Sequence, residues 1–446
     1  MGAEEHNLLI YSPVISSRIQ YITEIILNKI LGLKYEITND HGFFENSTLP
    51  KICYSSQNQF NSKVYLQANK LLEETDIHPI DPDVFTIDGQ KAFFKSDNYS
   101  FFPFDIFAAS FFLISRYEEY LPVKSDVHGR FDAAKSLAFK HGFLEEPIIH
   151  IWAEMFKKRL IAFFPDLKTK EPEYKFLSTI DIDNAWAHLN KGIIRTLLSY
   201  VKLLFRFNTP ALKIKTKVLL KKYADPYDNY GFMDKIHKTY GIQPITFVLF
   251  SKFSAFDKNP SIKNKQFRDL IKRISSHSEM GIHPSYQSNK SYDILQKEKS
   301  ALEKLIERSI EKSRQHYLKL KMPTTYENLI RLGIQYDFSM GYSSHVGFRA
   351  GITIPFNFFN LKTNKETPLE IVPFAIMDVC FTDYLKIEPE KALKTIKKII
   401  SSVKKVNGLF SSLWHNETFS DASNCHNWRW VFEQMIIEAN DRNQAF

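Results

Sequence analysis

The segment Phe176-Leu177-Ser178-Thr179-Ile180-Asp181-Ile182-Asp183-Asn184 constrains this chain more than any other. Residues 176 to 182 are mostly apolar or favour extended backbone and contain neither Gly nor Pro, which predicts a core strand. The strand then runs into acid. In extended geometry Asp181 and Asp183 are two apart, leave the same side of the chain and address one small volume at the carboxyl edge of a sheet. The plain alternative is that they cap the next helix. Two chemical readings stand beside it. One is a hydrolase in which one carboxylate holds a divalent metal and the other acts as a base. The other is a nucleotide-sugar transferase whose Asp181-x-Asp183 holds a metal-bound diphosphate.

A strand of this kind needs a large core around it, and 446 residues with 44% hydrophobic and 14% aromatic content supply one, which excludes a disordered or fibrous chain. Cys53, Cys380 and Cys425 are far apart and in no paired spacing, so neither a disulfide framework nor a cysteine zinc site is expected. That points to a reducing compartment and a cytoplasmic location. The opening residues, Met1 to His6, are acidic and lack a basic stretch before an apolar core, so no secretory signal is read there. No apolar run reaches membrane-spanning length.

The net charge of +9 is unevenly placed. From Lys191 to Lys222 there are nine Lys or Arg and no Asp or Glu, interleaved with Ile193-Ile194, Leu197-Leu198, Val201 and Leu203-Leu204 at helical spacing. The simplest reading is a lid helix with solvated lysines and an apolar face packed on the body. The sharper one is a basic amphipathic surface that meets an anionic membrane or a lipid-linked sugar. Nucleic acid is not expected as a partner, because the rest of the chain is charge-balanced and carries no recognisable nucleic-acid module.

Taken in order, residues 1–170 read as a smaller α/β domain. It has a strand at 8–11, a helix at 15–30 stopped by Gly32, a strand at 34–38, a helix near 62–74, a hairpin about Asp88-Gly89 and an aromatic helix from 104 to 121. Its polar stretches 115–120 and 126–131 read as charged helix ends without catalytic duty. A boundary is expected in 165–172, polar and with two prolines. Residues 171–446 then repeat strand and helix. Strands are expected at 176–182, 244–250, 279–283, 315–320, 334–338, 370–375 and 409–414. Helices are expected at 262–276, 293–313, 324–332 with a Thr324-x-x-Glu327 capping box, and 387–406. Seven parallel strands with crossover helices predict an open or barrel-like α/β sheet whose site lies at the strands' carboxyl ends.

At those ends stand Asp181 and Asp183, then His283-Pro284-Ser285-Tyr286-Gln287, then Arg314-Gln315-His316-Tyr317, then Leu413-Trp414-His415. The set resembles the polysaccharide deacetylase superfamily, carbohydrate esterase family 4, over about 175–425, and in particular a bacterial branch with an extra N-terminal α/β domain. The resemblance implies a distorted seven-stranded (β/α) barrel and a hydrolase that removes N-acetyl or related acyl groups from an amino-sugar or polysaccharide precursor. It implies Asp181 as base, Asp183 and His283 as ligands of one divalent metal, most simply zinc, Arg314 as the group that positions Asp181, and His415 as acid. Gln287 replaces the family's second histidine, and His316 is assigned as the substitute ligand. Tyr286, Arg349 and Trp414 are assigned to the carbohydrate. A catalytically inactive carbohydrate-binding relative is the remaining alternative.

Overall fold

The computed structural model describes residues 7–170, 172–420 and 427–441, so Met1 to His6 and Cys425 lie outside the described residues. Two main sheets organise the chain, and both are built on parallel strands. The first contains β1 (Leu8–Tyr11), β2 (Tyr35–Thr38), β3 (Lys51–Ser55) and β4 (Tyr65–Gln67) in the order β2-β1-β3-β4. The helix expected near 62–74 is therefore β4 followed by a short 3-10 turn at Lys70–Leu72. The Asp88-Gly89 turn joins β5 (Phe85–Ile87) to β6 (Gln90–Ala92), with both turn residues at positive φ as a two-residue hairpin requires.

The second sheet contains β7 (Lys175–Ile182), β8 (Ile245–Val248), β9 (Glu279–Ile282), β10 (Lys312–Ser313), β11 (Tyr336–Asp337), β12 (Phe356–Asn360), β13 (Lys365–Ile371), β14 (Ile376–Met377) and β15 (Leu409–His415). Its order is β12-β13-β11-β10-β9-β8-β7-β15-β14, parallel except for the β12–β13 hairpin. The seven expected strands thus miss two of the nine, the antiparallel β12 and the short parallel β14, and no ladder joins β12 to β14 among the described residues. The strand expected at 315–320 is displaced to β10. Tyr317 and Leu318 take positive φ, which breaks extended backbone there, and His316–Leu318 form a 3-10 turn. The strand expected at 370–375 ends at Ile371.

Helices cover the outer face for the expected physical reason. Helix Lys265–Ser275 buries Phe267, Leu270, Ile271 and Ile274, one face at helical spacing, and Asn264 caps it by accepting from the Phe267 N–H at 2.9 Å. The capping box at Thr324 does not form. Helix Thr324–Arg331 has no side-chain cap, and Glu327 accepts instead from Asn360 at 2.9 Å.

The sheet is strongly curled. β8 and β11 are three ladder steps apart, about 14 Å on a flat sheet, yet the rings of Phe247 and Phe338 lie 5.1 Å apart. Arg314 sits inside this curl, over Phe247 at 4.5 Å, Phe374 at 5.7 Å and Phe338 at 5.9 Å. The carboxyl ends of β7, β9, β10 and β15 consequently converge on one space.

The two sheets share a continuous apolar core. Phe359 of β12 packs on Tyr21 and Phe111, with ring centroids at 5.0 and 5.1 Å. Polar ties cross the same seam. The Phe348 N–H donates to the Leu144 carbonyl at 2.8 Å, and Arg349 binds Glu119 through two nitrogens at 2.9 and 2.6 Å. Burial would raise the Glu119 pKa, but the guanidinium groups of Arg349 and Arg116 hold it down to about 2. No helix among the described residues is long and apolar enough to cross a membrane.

Candidate metal centre and active site

β7 delivers Asp181 into the curl and Asp183 just past its edge. Asp181 is buried, and its Oδ1 accepts from Arg314 Nη1 at 2.7 Å. Arg314 follows β10 and has no exposed surface. It also donates from Nη2 to Thr179 Oγ1 at 2.8 Å and from Nε to the Phe338 carbonyl at 3.0 Å. Every edge of the guanidinium is thus engaged, so the Asp181 carboxylate is fixed in rotation with Oδ2 turned to the centre, 3.8 Å from His283 Nε2.

Asp183, His283 and His316 bring one ligand atom each within 4.8 Å of one another. His283 Nε2 is 3.1 Å from Asp183 Oδ1, and His316 Nε2 is 3.3 Å from Asp183 Oδ2. The far nitrogens decide what faces the centre. His283 Nδ1 lies 2.5 Å from the Arg314 carbonyl, which can only accept, so Nδ1 carries a proton and Nε2 is the nitrogen turned toward Asp183. His316 Nδ1 likewise meets Asp257 Oδ1 at 2.9 Å. Two imidazole nitrogens turned to one carboxylate at this range need a cation or a proton among them. Asp183 Oδ1 is buried and makes no aligned hydrogen bond despite its short approach to His283, as an atom kept for a metal would. The donors therefore fit a divalent ion with two nitrogens, one carboxylate and second-sphere partners that set both tautomers. Burial alone would discharge His316, but the Asp183 and Asp257 carboxylates hold its pKa up to about 9, so without a metal a proton takes that place.

His415 closes β15 on the opposite side, its Nε2 3.8 Å from Asp183 Oδ2. Asp378 holds it twice, Oδ2 accepting from the His415 N–H at 2.6 Å and Oδ1 facing Nδ1 at 2.7 Å, while Thr418 Oγ1 also donates to Oδ2 at 2.5 Å. Burial would lower the His415 pKa, yet Asp378 raises it to about 10, with smaller contributions from Asp183 and Asp181. The ring holds a proton on the nitrogen that faces the centre.

These groups open into a cavity of about 590 Å³, whose wall includes Arg130, Phe256, Lys258 and Tyr317. Arg130 comes from the stretch 126–131 that the sequence assigned no role, and it donates to the Tyr317 carbonyl at 2.9 Å. Tyr286 does not line the cavity but stacks from behind on Phe256 of its wall, with ring centroids at 4.0 Å. Arg349 lines a neighbouring cavity of about 210 Å³ that shares Arg130, Leu318, Ser343 and Tyr384 with the main one. Trp414 is not in the site. Alternation along β15 turns it to the outer face, fully buried, stacked on Phe419 at 5.7 Å and donating to Met435 Sδ at 3.3 Å. Asp257 and Asp378 are the functional positions the sequence reading missed. Asp378 had a usable signal, an acid closing the apolar run Phe374 to Met377, the same pattern that marks Asp181. Asp257 lies in a loop with no comparable pattern.

Comparison with known proteins gives a short account. A family of unknown function, DUF7033, matches residues 8–165. No curated protein matches the sequence. Among solved structures, a candidate polysaccharide deacetylase from Mycobacterium smegmatis is 13% identical, covering 61% of this chain and 85% of its own, at a TM-score of 0.39. The Puue allantoinase is 12% identical over 59% of this chain and 83% of its own, at 0.38. A polysaccharide deacetylase from Bacillus cereus is 11% identical over 59% of this chain and 86% of its own, at 0.31.

Proposed function

We propose that the protein is a metal-dependent hydrolase that removes an N-acetyl group from an amino sugar or a polysaccharide precursor. The observation that carries this reading is the three-donor cluster of Asp183, His283 and His316 set between a fixed carboxylate, Asp181, and a proton-holding imidazole, His415. One divalent ion, zinc by its preference for nitrogen and carboxylate donors, would supply Lewis acidity there, polarising an amide carbonyl and making water more acidic. Asp181 Oδ2 accepts the proton of the attacking water. Arg314 keeps that carboxylate aimed. As the carbon–nitrogen bond breaks, His415 Nε2 gives its proton to the departing amine, and Asp378 holds the ring in register. The products are acetate and a free amino sugar.

Arg349 in the adjoining cavity is read as a carbohydrate contact, and Tyr286 as support for Phe256 in the cavity wall. The same reading takes the curled sheet as a distorted barrel left open between β12 and β14, residues 1–170 as a domain set against it, and the unpaired, buried Cys53 and Cys380 as support for a cytoplasmic enzyme. The transferase reading gives no role to His283 and His415.

Metal analysis of the purified protein, paired with acetate release from N-acetylglucosamine oligomers, tests the proposal. One zinc per chain is expected, lost in Asp183→Ala, His283→Ala and His316→Ala. Asp181→Asn should keep the metal and lose turnover by about 10²- to 10⁴-fold. Loss of metal in Asp181→Asn, or full turnover without His316, would overturn the assignments. Metal retained only in the presence of a nucleotide would favour the transferase.

A further inference from the structure

The segment 191–222 folds as two helices, Ile193–Phe205 and Thr209–Leu219, and the first is turned the wrong way round for a helix that covers a core. Ile193, Ile194, Leu197, Leu198, Leu204 and Phe205 fall within about 140° of arc at 100° per residue, and each is between 58% and 81% exposed. None of the helix's residues is buried. The polar side faces inward. Arg195 donates to the carbonyls of Asn259 at 2.9 Å and Lys258 at 3.0 Å, and Lys215 of the second helix donates to the Thr196 carbonyl at 2.9 Å. Phe207, at the turn between the helices, is exposed as well. An outward apolar stripe of this size is uncommon on a surface that meets only water.

We infer that this hairpin docks the protein on an anionic lipid bilayer, with helix Ile193–Phe205 lying in the interface and its apolar side among the acyl chains. Charge selects this occupant. The segment 191–222 carries nine cations and no acid; Lys191, Arg195 and Lys215 are turned to the body, while Lys202, Arg206, Lys213, Lys217, Lys221 and Lys222 are exposed beside the apolar stripe and complement anionic headgroups. A second copy would bring the same exposed cations face to face. The hairpin is also rooted in the wall of the main cavity. Lys191 donates to the Asn184 side chain and, at 3.1 Å, to the Lys258 carbonyl, and Asn184 and Lys258 both line that cavity. Docking therefore brings the cavity mouth to the lipid surface, where it would meet a sugar carried on the membrane. The docking surface stands whether or not the reaction proposed above is correct.

Sedimentation of the full chain with phosphatidylcholine vesicles, and with mixed phosphatidylcholine–phosphatidylglycerol vesicles, tests the inference. Binding is expected to the mixed vesicles alone, weakened about tenfold or more by raising the salt. Leu197→Ser with Leu198→Ser, and separately Lys202→Glu with Arg206→Glu, should each weaken it about tenfold or more. These side chains are exposed, so thermal unfolding and metal content should stay as in the parent, which tells a failed docking surface from a failed metal centre. No sedimentation with anionic vesicles at low salt, or binding by both variants as strong as the parent's, overturns the inference. Self-association that disappears in the Leu197→Ser/Leu198→Ser variant overturns it too, by giving the stripe to a second copy.

Discussion

Asp257 offers no atom to the candidate metal position, yet it fixes His316 by the far nitrogen and is itself fixed by the Tyr286 N–H at 2.9 Å and Ser254 Oγ at 2.6 Å. Removing it frees the imidazole to rotate. Asp257→Ala is expected to weaken metal binding about 10- to 100-fold, read by competition with a chelator, while Asp257→Asn, which still accepts from Nδ1–H, keeps most of it. Unchanged affinity in the alanine variant would show that His316 does not hold the ion. The first row of groups was legible because each stands where an apolar run meets a polar residue: Asp181 and Asp183, His283 and His415. Their supporting partners were not. Asp257 and Asp378 act through hydrogen bonds that form only when separate strand ends converge, and no local spacing encodes that convergence. Trp414 was misread because it shares a motif with His415 while strand alternation sends it the other way.

Among the elements, β9 shows how closely the sheet must curl. A Cβ built on Gly281 would lie 2.4 Å from the Phe247 ring and 3.2 Å from the Lys312 carbonyl, and Phe247 is the ring against which the Arg314 guanidinium rests at 4.5 Å. Gly281→Ala should therefore push on Arg314 and through it on Asp181. A loss of about 1–3 kcal/mol in chemical denaturation is expected, together with reduced turnover at full metal content. A variant as stable and active as the parent would mean that the ring moves freely. Longer elements were readable from periodicity, since β7, β15 and the helices at Lys265–Ser275 and Pro389–Lys405 carry enough residues to show a pattern. β10, β11 and β14 have two residues each, too few for any period to appear, and their existence depends on neighbours already in place. β12 was missed because its pairing with β13 is antiparallel in a sheet that otherwise reads as parallel.

At the scale of the molecule, His150 reports on the seam between the two sheets. Its Nε2 accepts from the Thr353 N–H at 3.3 Å and lies 3.1 Å from Thr353 Oγ1, and its Nδ1 is buried without a partner. Burial pushes its pKa from 6.5 down to about 3. The unfolded chain therefore takes up this proton at a higher pH than the folded one. The contribution is fully present above pH ~6.5 and falls by about 1.4 kcal/mol per unit as pH drops from there toward ~3. His150→Asn, which cannot titrate there, should flatten the dependence of unfolding free energy on pH across this window. An unchanged slope would place the acid sensitivity elsewhere.

The bidentate bond between Glu119 and Arg349 joins residues 230 apart whose side chains are both buried; Arg116 also holds Glu119, but replacing Glu119 alone would strand the Arg349 charge in the interior. Substitutions at these positions should thus travel as a pair through the history of the gene. Relatives that keep Arg349 are expected to keep Glu119, and the region 8–165 is expected to have descended with the half that carries the candidate site as a single inherited unit. An alignment in which Arg349 persists opposite an apolar residue at 119 would speak against that shared ancestry.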